Sequence, residues 1–211
     1  MSGGHGDHGR PRLVLASASP ARRALLAAAG IDCETVVSGV DESAVSASGP
    51  EALCLVLARM KAQAVAGRLR SAGDAAPEVL VVGCDSVLGF DGETLGKPVD
   101  AADAVRRWRA MRGRSGVLYT GHHLVQPATG KQAEGVAATV VHFADLTDAE
   151  IDAYVATGEP LAVAGAFTID GIGGAFLERI EGDHGTVVGL SLPLLRSLLG
   201  ELGLSIVSLW R

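Results

Sequence analysis

The sequence predicts a single α/β domain whose mixed, twisted sheet is flanked by helices. Short apolar runs alternate with helical patterns along the first half of the chain, which is typical of strands joined by helices. The dipeptide Asp91-Gly92 lies between two apolar runs and predicts a β-hairpin, so some strands should pair antiparallel. With 211 residues, of which 48% are hydrophobic, the chain has the size and composition of one globular domain.

The first half of the chain predicts three strands and two helices. Ser19 and Pro20 suit the N-cap and the first position of a helix, and Gly30 suits its end. The apolar run that ends at Asp85 is continuous, as in a central strand buried on both faces. In chain order we expect a strand at 13–16, a helix from 20 to about 30, a strand at 33–37, a helix from 50 to about 70 and a strand at 79–84.

The second half of the chain predicts antiparallel strands and three more helices. Asp100 can cap a helix, and Thr147 with Glu150 forms a capping-box pattern for another that Gly158 would end. In chain order we expect a hairpin with strands at 87–90 and 93–95, a helix from 100 to 111, an antiparallel pair at 117–125 and 136–143, a helix from 147 to 157, a strand at 175–180 and a last helix from about 193.

The first eleven residues differ from the rest of the chain. They are rich in Gly and His and show no apolar periodicity, so residues 1–11 are predicted to be a disordered extension. His5 and His8 could bind a metal, but a solvated tail is the simpler interpretation. Residues 12–211 form the predicted domain.

Composition and charge exclude several classes of partner. The net charge of −6 argues against nucleic acid as the main partner, because such binding needs clustered cations. No apolar stretch approaches the roughly 20 residues of a membrane span. The three cysteines have neither zinc-ligand nor disulfide-framework spacing, which suits a reducing compartment. We therefore expect a cytoplasmic protein that binds neither nucleic acid nor a membrane.

A candidate anion site lies at the start of the first predicted helix. Ser17 and Ser19 supply hydroxyl groups there, and free backbone amides at a helix N-terminus attract anions. Arg22 and Arg23 in the first turn are unfavourable for the helix dipole unless an anion is also bound. A phosphate would resolve that conflict, and Arg22 could bind it bidentately. The alternative, that Ser19 is only a cap and the arginines are solvated, has equal weight on this motif alone.

Asp85 is the candidate for catalysis. It follows a buried apolar strand, and ligands of open α/β sheets bind at the carboxyl ends of strands. Partial burial beside Val82 and Val87 would raise the pKa of a carboxylate, which suits a general base or a metal ligand. A turn or cap aspartate is the common alternative. Cys84 has no pattern of a base and an orienting group around it and is interpreted as a core residue.

Lys61, Lys97 and Glu42 complete the set of candidates. Lys61 lies on an otherwise apolar helix face, so its ammonium group needs a partner or must extend to solvent. Lys97 stands in a Gly-Lys-Pro loop and could be a surface lysine. If these lysines and Arg22 converge, they form a local anion site in an acidic chain. Glu42, next to Asp41, could hold a metal or a water molecule, although such pairs are often surface loops.

Well-known nucleotide and hydrolase motifs are missing from the sequence. There is no GxxxxGK[ST] loop, and the glycines at 171–174 do not form GxGxxG after a strand. No GxSxG or HExxH motif occurs either. ATP-driven phosphoryl transfer on a P-loop is therefore unsupported.

Eight short motifs nevertheless occur in a fixed order from residue 12 onward. They are Leu13 to Pro20 with Arg22, Asp41-Glu42, Ala58 with Lys61-Ala62, Gly83 with Asp85-Ser86, Leu95 to Pro98, Gly158 to Pro160, Ala164 to Phe167 and Val187 to Leu190. Together they resemble the Maf family of nucleoside triphosphate pyrophosphatases. The resemblance implies an inosine-triphosphatase-like fold, often a homodimer, that cleaves between the α and β phosphates with Mg²⁺ or Mn²⁺ to release pyrophosphate.

The resemblance also implies roles for individual residues. Asp85 is the implied proton acceptor, and with Glu42 it is a candidate metal ligand. The positions implied for base specificity are Arg22, Ser86 and Asp170. The implied phosphate-binding residues are Ser17, Ser19, Arg22, Lys61 and Lys97.

Departures from the family pattern concentrate at the base-reading positions. Family members that prefer dTTP and UTP commonly have Ile-Gln-Gly where this chain has Ile169-Asp170-Gly171. A glutamine amide donates and accepts hydrogen bonds, whereas an ionised aspartate only accepts. An aspartate can still accept from a cytosine amino group or a ring N–H. The substrates that the resemblance implies are pyrimidine triphosphates, such as dTTP and UTP, or modified nucleotides. Since the family name is also linked to septum formation and division arrest, a regulatory binding protein without turnover is the alternative.

Overall fold

A computed structural model describes residues 10–211 of the protein. The expectation of a disordered extension, including His5 and His8, therefore falls mostly outside the described residues. Within them, the Arg10 guanidinium donates a hydrogen bond of 2.8 Å to the Leu209 carbonyl. This contact ties the chain just ahead of the first strand to its C-terminal segment.

Six α-helices are described, and three of them start at capping residues predicted from the sequence. Ser19, Asp100 and Thr147 each accept a backbone N–H in the first turn of their helix, and Thr147 and Glu150 complete the capping box. A short helix was not predicted: the Asp183 carboxylate caps it by accepting the amides of Gly185 and Thr186. The helices are α1 (Pro20–Ala28), α2 (Pro50–Ser71), α3 (Ala101–Met111), α4 (Asp148–Ala156), α5 (His184–Val188) and α6 (Leu192–Glu201). None of the helices between residues 10 and 211 is long and apolar enough to cross a membrane.

Seven strands form one sheet in the described part of the chain, which confirms the predicted mixed architecture. The strands are β1 (Arg12–Leu15), β2 (Cys33–Thr35), β3 (Val79–Phe90), β4 (Glu93–Leu95), β5 (Ser115–Val125), β6 (Gln132–Phe143) and β7 (Leu177–Glu181). Their order is β2-β1-β3-β5-β6-β7, with β4 paired to β3. β1 pairs in parallel with β2 and β3, and every other pairing is antiparallel. Asp91 and Gly92 both have positive φ in the β3–β4 turn, as the hairpin signal predicts.

One prediction about β3 was wrong, because the strand does not end before Asp85. β3 continues for 12 residues, since β5 pairs with it without interruption from Val81 to Gly89. Its other edge is discontinuous: β1 pairs up to Val82, and β4 pairs only from Leu88 onward. Among the described residues, no strand covers that edge between positions 83 and 87. Asp85 therefore lies in the middle of a strand, beside a gap in the sheet.

Other boundaries shift by a few residues. β6 starts at Gln132 rather than at 136, because its polar first residues pair in register with the buried end of β5. β7 starts at Leu177 rather than at 175, because a 3-10 turn covers Ile172–Phe176. β2 ends at Thr35, two residues early. Such ends depend on the partner strand, which local pattern does not reveal.

Two glycines bring α2 close to the sheet. A Cβ at Gly83 of β3 would collide with the backbone of Ala58 and Ala62, and one at Gly121 of β5 would collide with Cys54. The helix therefore packs directly on the backbone of both strands, as only glycine permits. This contact sets the height of Lys61 over β3. The opposite face of the sheet is covered by an apolar cluster that includes residues of α1 and α6.

Candidate functional site

The gap in the sheet opens into a cleft of about 1090 Å³. One wall consists of β3 at positions 85–87 and of α2, and the rest of the lining comes from α1 and the loops around 96–97 and 162–171. All nine site residues predicted from the sequence line this one cleft. They are Ser17, Ser19, Arg22, Glu42, Lys61, Asp85, Ser86, Lys97 and Asp170. The structure thus brings the candidates together, while their chemical roles stay predictions.

Asp85 and Lys61 form a buried ion pair at the centre of the cleft. Lys61 Nζ lies 2.5 Å from Asp85 Oδ1, and the two side chains are each 11% exposed. Burial raises the pKa of Asp85, and the charges of Lys61 and Arg22 oppose this shift only in part. The result is a carboxylate whose proton affinity is higher than usual and which faces a cavity, as a general base requires. The snorkelling alternative for Lys61 is wrong, since its ammonium group is paired inside the protein.

Glu42 forms a second salt bridge with the same lysine. Its Oε1 lies 2.9 Å from Lys61 Nζ, and its side chain is 49% exposed at the rim of the cleft. Two carboxylates therefore converge on one ammonium group. No group of three or more His, Cys, Asp or Glu side chains with metal-binding geometry occurs within residues 10–211. A hard divalent cation bound by one or two carboxylates normally completes its shell with water and substrate phosphates, and this donor set fits that case.

The guanidinium of Arg22 is held in place by three acceptors. Its Nε donates to the Gly189 carbonyl at 2.6 Å, and its Nη atoms donate to Ser17 Oγ and Ser86 Oγ at 3.1 Å each. Ser17 Oγ also accepts the backbone amide of Ser19 at 3.1 Å. These hydrogen bonds fix the Arg22 guanidinium beside the loop that precedes α1. Because Ser19 caps α1 and also lines the cleft, both interpretations of that residue are compatible with its position.

Ser86 and Asp85 point to opposite faces of β3, as neighbours in a strand must. Ser86 Oγ lies 2.8 Å from Thr120 Oγ1 on β5, which in turn donates to the Thr186 carbonyl of α5 at 2.8 Å. The gap at the strand edge makes both faces accessible from one cleft. Sequence reasoning missed Thr120 and Thr186. A polar residue inside the buried strand β5 was the available signal for Thr120, but α5 was not predicted at all.

Lys97 and Asp170 lie on loops and are exposed. Lys97 follows β4, and Asp170 lies between two 3-10 turns. Within residues 10–211, Lys97 forms no salt bridge. Its ammonium group is therefore available to an anion in the cleft.

Glu159 organises the loop that carries Asp170, and no role was predicted for it. Its carboxylate accepts hydrogen bonds from the hydroxyls of Tyr154 and Thr168 and from the amides of Ile172 and Gly173. Burial opposes its ionisation, but these hydrogen bonds outweigh burial and lower the pKa of Glu159. The motif Gly158 to Pro160 did not reveal this role, because most partners of Glu159 lie on the segment 168–173.

Cys84 behaves as the core residue predicted from the sequence. It is fully buried, and burial raises its pKa to about 12. Burial also raises the pKa of Cys54 to about 12. Both thiols stay protonated at neutral pH and are poor nucleophiles. All three cysteines of the chain are free.

Comparison with known proteins identifies the family. The family model described as Maf-like protein matches residues 12–202, which include every cleft residue named above. This chain belongs to the Maf-like family. Maf-like relatives named nucleoside triphosphate pyrophosphatase include one from Salinispora tropica, 66% identical over 94% of this chain and 87% of the relative. The relative from Streptomyces avermitilis is 56% identical over 97% of each chain, and one from Gloeothece citriformis is 48% identical over 94% of this chain and 97% of the relative.

Proposed function

We propose that this chain hydrolyses nucleoside triphosphates to a nucleoside monophosphate and pyrophosphate. The observation that carries the proposal is the cleft in which a buried carboxylate of raised pKa, Asp85, lies among the cations Arg22, Lys61 and Lys97. The names of the relatives support the same reaction. An anionic substrate and a base beside it are the two requirements of hydrolysis at phosphorus.

In the proposed reaction, Asp85 accepts a proton from the attacking water. The water oxygen forms a bond to the α-phosphorus, the bond from that phosphorus to the bridging oxygen breaks, and its electron pair leaves with pyrophosphate. Lys61 contacts Asp85 at 2.5 Å and therefore holds the base in the orientation that this step needs. Arg22 and Lys97 lie where cations would offset the negative charge of the phosphates.

Mg²⁺ or Mn²⁺ is the proposed cofactor. Glu42 and Asp85 would hold it, because they present carboxylate oxygens around one point of the cleft, where Lys61 now neutralises them. Bound there, a divalent cation would neutralise phosphate charge and polarise phosphoryl oxygens. The chain's own residues still perform the binding of the phosphates, the orientation of Asp85 and the acceptance of the proton.

Pyrimidine triphosphates such as dTTP and UTP, or modified nucleotides, are the proposed substrates. Ser86 supports this assignment because its hydroxyl is oriented by Arg22 and Thr120, so it presents a fixed hydrogen-bonding group. Asp170 can accept hydrogen bonds from a ring N–H or an amino group. Glu159 supports the role of Asp170 by holding the backbone of the loop that follows it.

The proposed activity is tested by pyrophosphate release from a panel of canonical and modified triphosphates with Mg²⁺ or Mn²⁺. We expect monophosphate and pyrophosphate from the native chain, and a loss of about 10³-fold in kcat for Asp85→Asn. Asp91→Asn is the matched control, since Asp91 directly follows the same strand but its side chain is 65% exposed and lies outside the cleft. Orthophosphate release, or full activity of Asp85→Asn, would contradict the proposal.

A cytoplasmic homodimer is the proposed form of the protein. The three free cysteines support a reducing compartment, and light scattering of the purified chain tests the dimer. The alternative is a septum-associated regulatory protein that acts without turnover. Overexpression of Asp85→Asn distinguishes it from the proposed hydrolase. A division phenotype that persists in this variant would favour binding, and one that disappears would favour nucleotide depletion.

A further inference from the structure

Two consecutive side chains of α3 hold the two loops of the cleft. Arg107 Nη1 donates to the Gly96 carbonyl at 2.6 Å, and its Nη2 contacts the Lys97 carbonyl at 3.4 Å. The next residue, Trp108, donates its indole Nε1–H to the Ala166 carbonyl at 2.7 Å. One helix that does not line the cleft thus binds the backbone beneath Lys97 and the backbone that leads to Asp170.

Asp103 adds a further contact between α3 and the loop that carries Lys97. Its carboxylate lies 2.7 Å from Arg107 Nη2 and accepts the Val99 amide at 3.2 Å. The two charged side chains are only 9% and 10% exposed. Although burial opposes ionisation, hydrogen bonds from Arg107, Val99 and Arg106 lower the pKa of Asp103. The loop is therefore held at three of its backbone positions by Arg107 and by an Asp103 carboxylate that stays ionised at neutral pH.

The two loops are also joined to each other at Gly96. Its carbonyl accepts the Gly165 amide at 3.1 Å in addition to the Arg107 guanidinium. Ala166, which Trp108 holds, has a φ of 62°, a left-handed conformation that is unfavourable for a residue with a side chain. A strained residue of this kind persists only where its surroundings determine it. The contacts of α3 therefore fix the conformation of this wall of the cleft.

Burial of the Arg107 guanidinium costs free energy, and its contacts show which part of the protein it stabilises. Among the residues that the structure describes, its Nε is the buried side-chain polar atom without a hydrogen-bond partner. An apolar side chain would avoid the desolvation of a guanidinium. Within residues 10–211, the hydrogen bonds of Arg107 other than that to Asp103 go to the carbonyls of Gly96 and Lys97 alone.

We infer that Arg107 is a positioning residue of the reaction, which acts through the backbone of 96–99 to direct Lys97 at the triphosphate. This inference rests on the proposed function, in which Lys97 binds phosphate. Arg107 touches neither the substrate nor the reacting atoms. Its effect should therefore depend on the presence of the Lys97 ammonium group.

The first test compares Arg107→Met with Arg109→Met. Methionine has a similar length and no charge, and Asp103 keeps Arg106 and the Val99 amide as partners, so we expect the variant to fold. Pyrophosphate release should show a loss of about tenfold in kcat, because a small misplacement of a binding group is costly. Hydrogen–deuterium exchange should increase at residues 95–99. Arg109 lies on the same helix, 49% exposed and paired with Asp148, and its variant should match the native chain in both measurements.

The second test places Arg107→Met in a Lys97→Met background. If Arg107 acts through Lys97, the second substitution adds little to the first, in kcat and in the affinity for inorganic pyrophosphate measured by calorimetry. Arg107→Lys, which keeps one cation, should restore part of kcat. Equal losses from Arg107→Met in both backgrounds, or unchanged exchange at 95–99, would overturn the inference.

These outcomes separate the inference from the function on which it rests. If Lys97→Met keeps native kcat and native affinity for pyrophosphate, then Lys97 does not bind phosphate and the inference is overturned, while pyrophosphate release by the native chain still supports the activity. If the native chain releases no pyrophosphate from any triphosphate, the proposed function fails. The pyrophosphate titration then decides the inference by itself.

Discussion

The two walls of the cleft are built in different ways. On one wall, called here the rigid wall, Asp85 and Lys61 come from a central strand and the helix packed on it, and they are almost fully buried. On the other, called here the loop wall, Lys97 and Asp170 come from loops and are exposed. Groups on rigid elements suit the reacting centre, where small displacements are costly, whereas loops suit recognition, which varies between substrates. The loop wall nevertheless has its own support in Arg107, Trp108 and Glu159.

Among the substitutions that test this comparison, we expect the largest effect from one that moves α2 away from β3 in the rigid wall. Gly83→Ala would place a methyl group against the backbone of Ala58 and Ala62, so α2 could not approach β3. We expect the free energy of unfolding to fall by about 3 kcal/mol and activity to fall with it. Chemical denaturation measures the first quantity.

The control for Gly83→Ala is Gly67→Ala on α2, the helix that packs against Gly83. A Cβ at Gly67 would meet no atom closer than 3.8 Å, so the control should stabilise the helix slightly. A Gly83→Ala protein with native stability would show that the close approach of α2 is not required.

The next largest effect is expected at the charged pair of the rigid wall. Lys61→Met removes the cation that opposes the raised pKa of Asp85, so this pKa should rise further. We expect kcat at neutral pH to fall by about 10²-fold, and the acidic limb of the pH–rate profile to move to higher pH, because the base form of Asp85 is lost as pH falls through the higher pKa.

The free energy of unfolding gives an independent check of the interaction between Lys61 and Asp85. The loss of stability in Lys61→Met should be smaller at acidic pH, since a protonated Asp85 needs no counterion. Arg59→Met on the exposed side of α2 is the control, because Arg59 pairs with Glu134 outside the cleft. An unchanged acidic limb would contradict a role for Lys61 in tuning Asp85.

A smaller effect is expected at the first residue of the loop wall. Lys97→Met should reduce kcat/KM by about tenfold and leave the thermal midpoint unchanged, because Lys97 is exposed and forms no salt bridge within residues 10–211. Steady-state kinetics and thermal melts measure both. A loss of stability comparable with that of Lys61→Met would show that the two walls are not supported differently.

The smallest effect is expected at Asp170. Asp170→Gln replaces an acceptor by a group that also donates, so the ratio of kcat/KM for UTP over CTP should rise by about fivefold, the value of one hydrogen bond of roughly 1 kcal/mol. Asp170→Asn, with a shorter reach, should change the ratio less. Equal ratios in the native chain and both variants would remove Asp170 from base recognition.

Local patterns predicted the helix starts better than the strand ends. Ser19, Asp100 and Thr147 act through hydrogen bonds to residues three positions away, so a short window of sequence contains the whole interaction. The end of β3 depends instead on β5, whose residues lie 28 to 44 positions from their partners in sequence and continue the pairing beyond Asp85. Glu159 was missed for the same reason, since its partners Thr168 and Gly173 lie on a different segment.

The sequence by itself determined the class of fold, the family and the residue types that meet in the cleft, because motifs and periodicity are local properties that the chain carries before it folds. Only the tertiary structure decided how those residues meet. The pairing of Lys61 with both Asp85 and Glu42, the anchoring of Arg22 at Gly189 and the support of Lys97 by Arg107 all join segments far apart in the chain. Burial at those contacts sets the charge and the orientation of each group, and burial exists only after the sheet and its helices have packed.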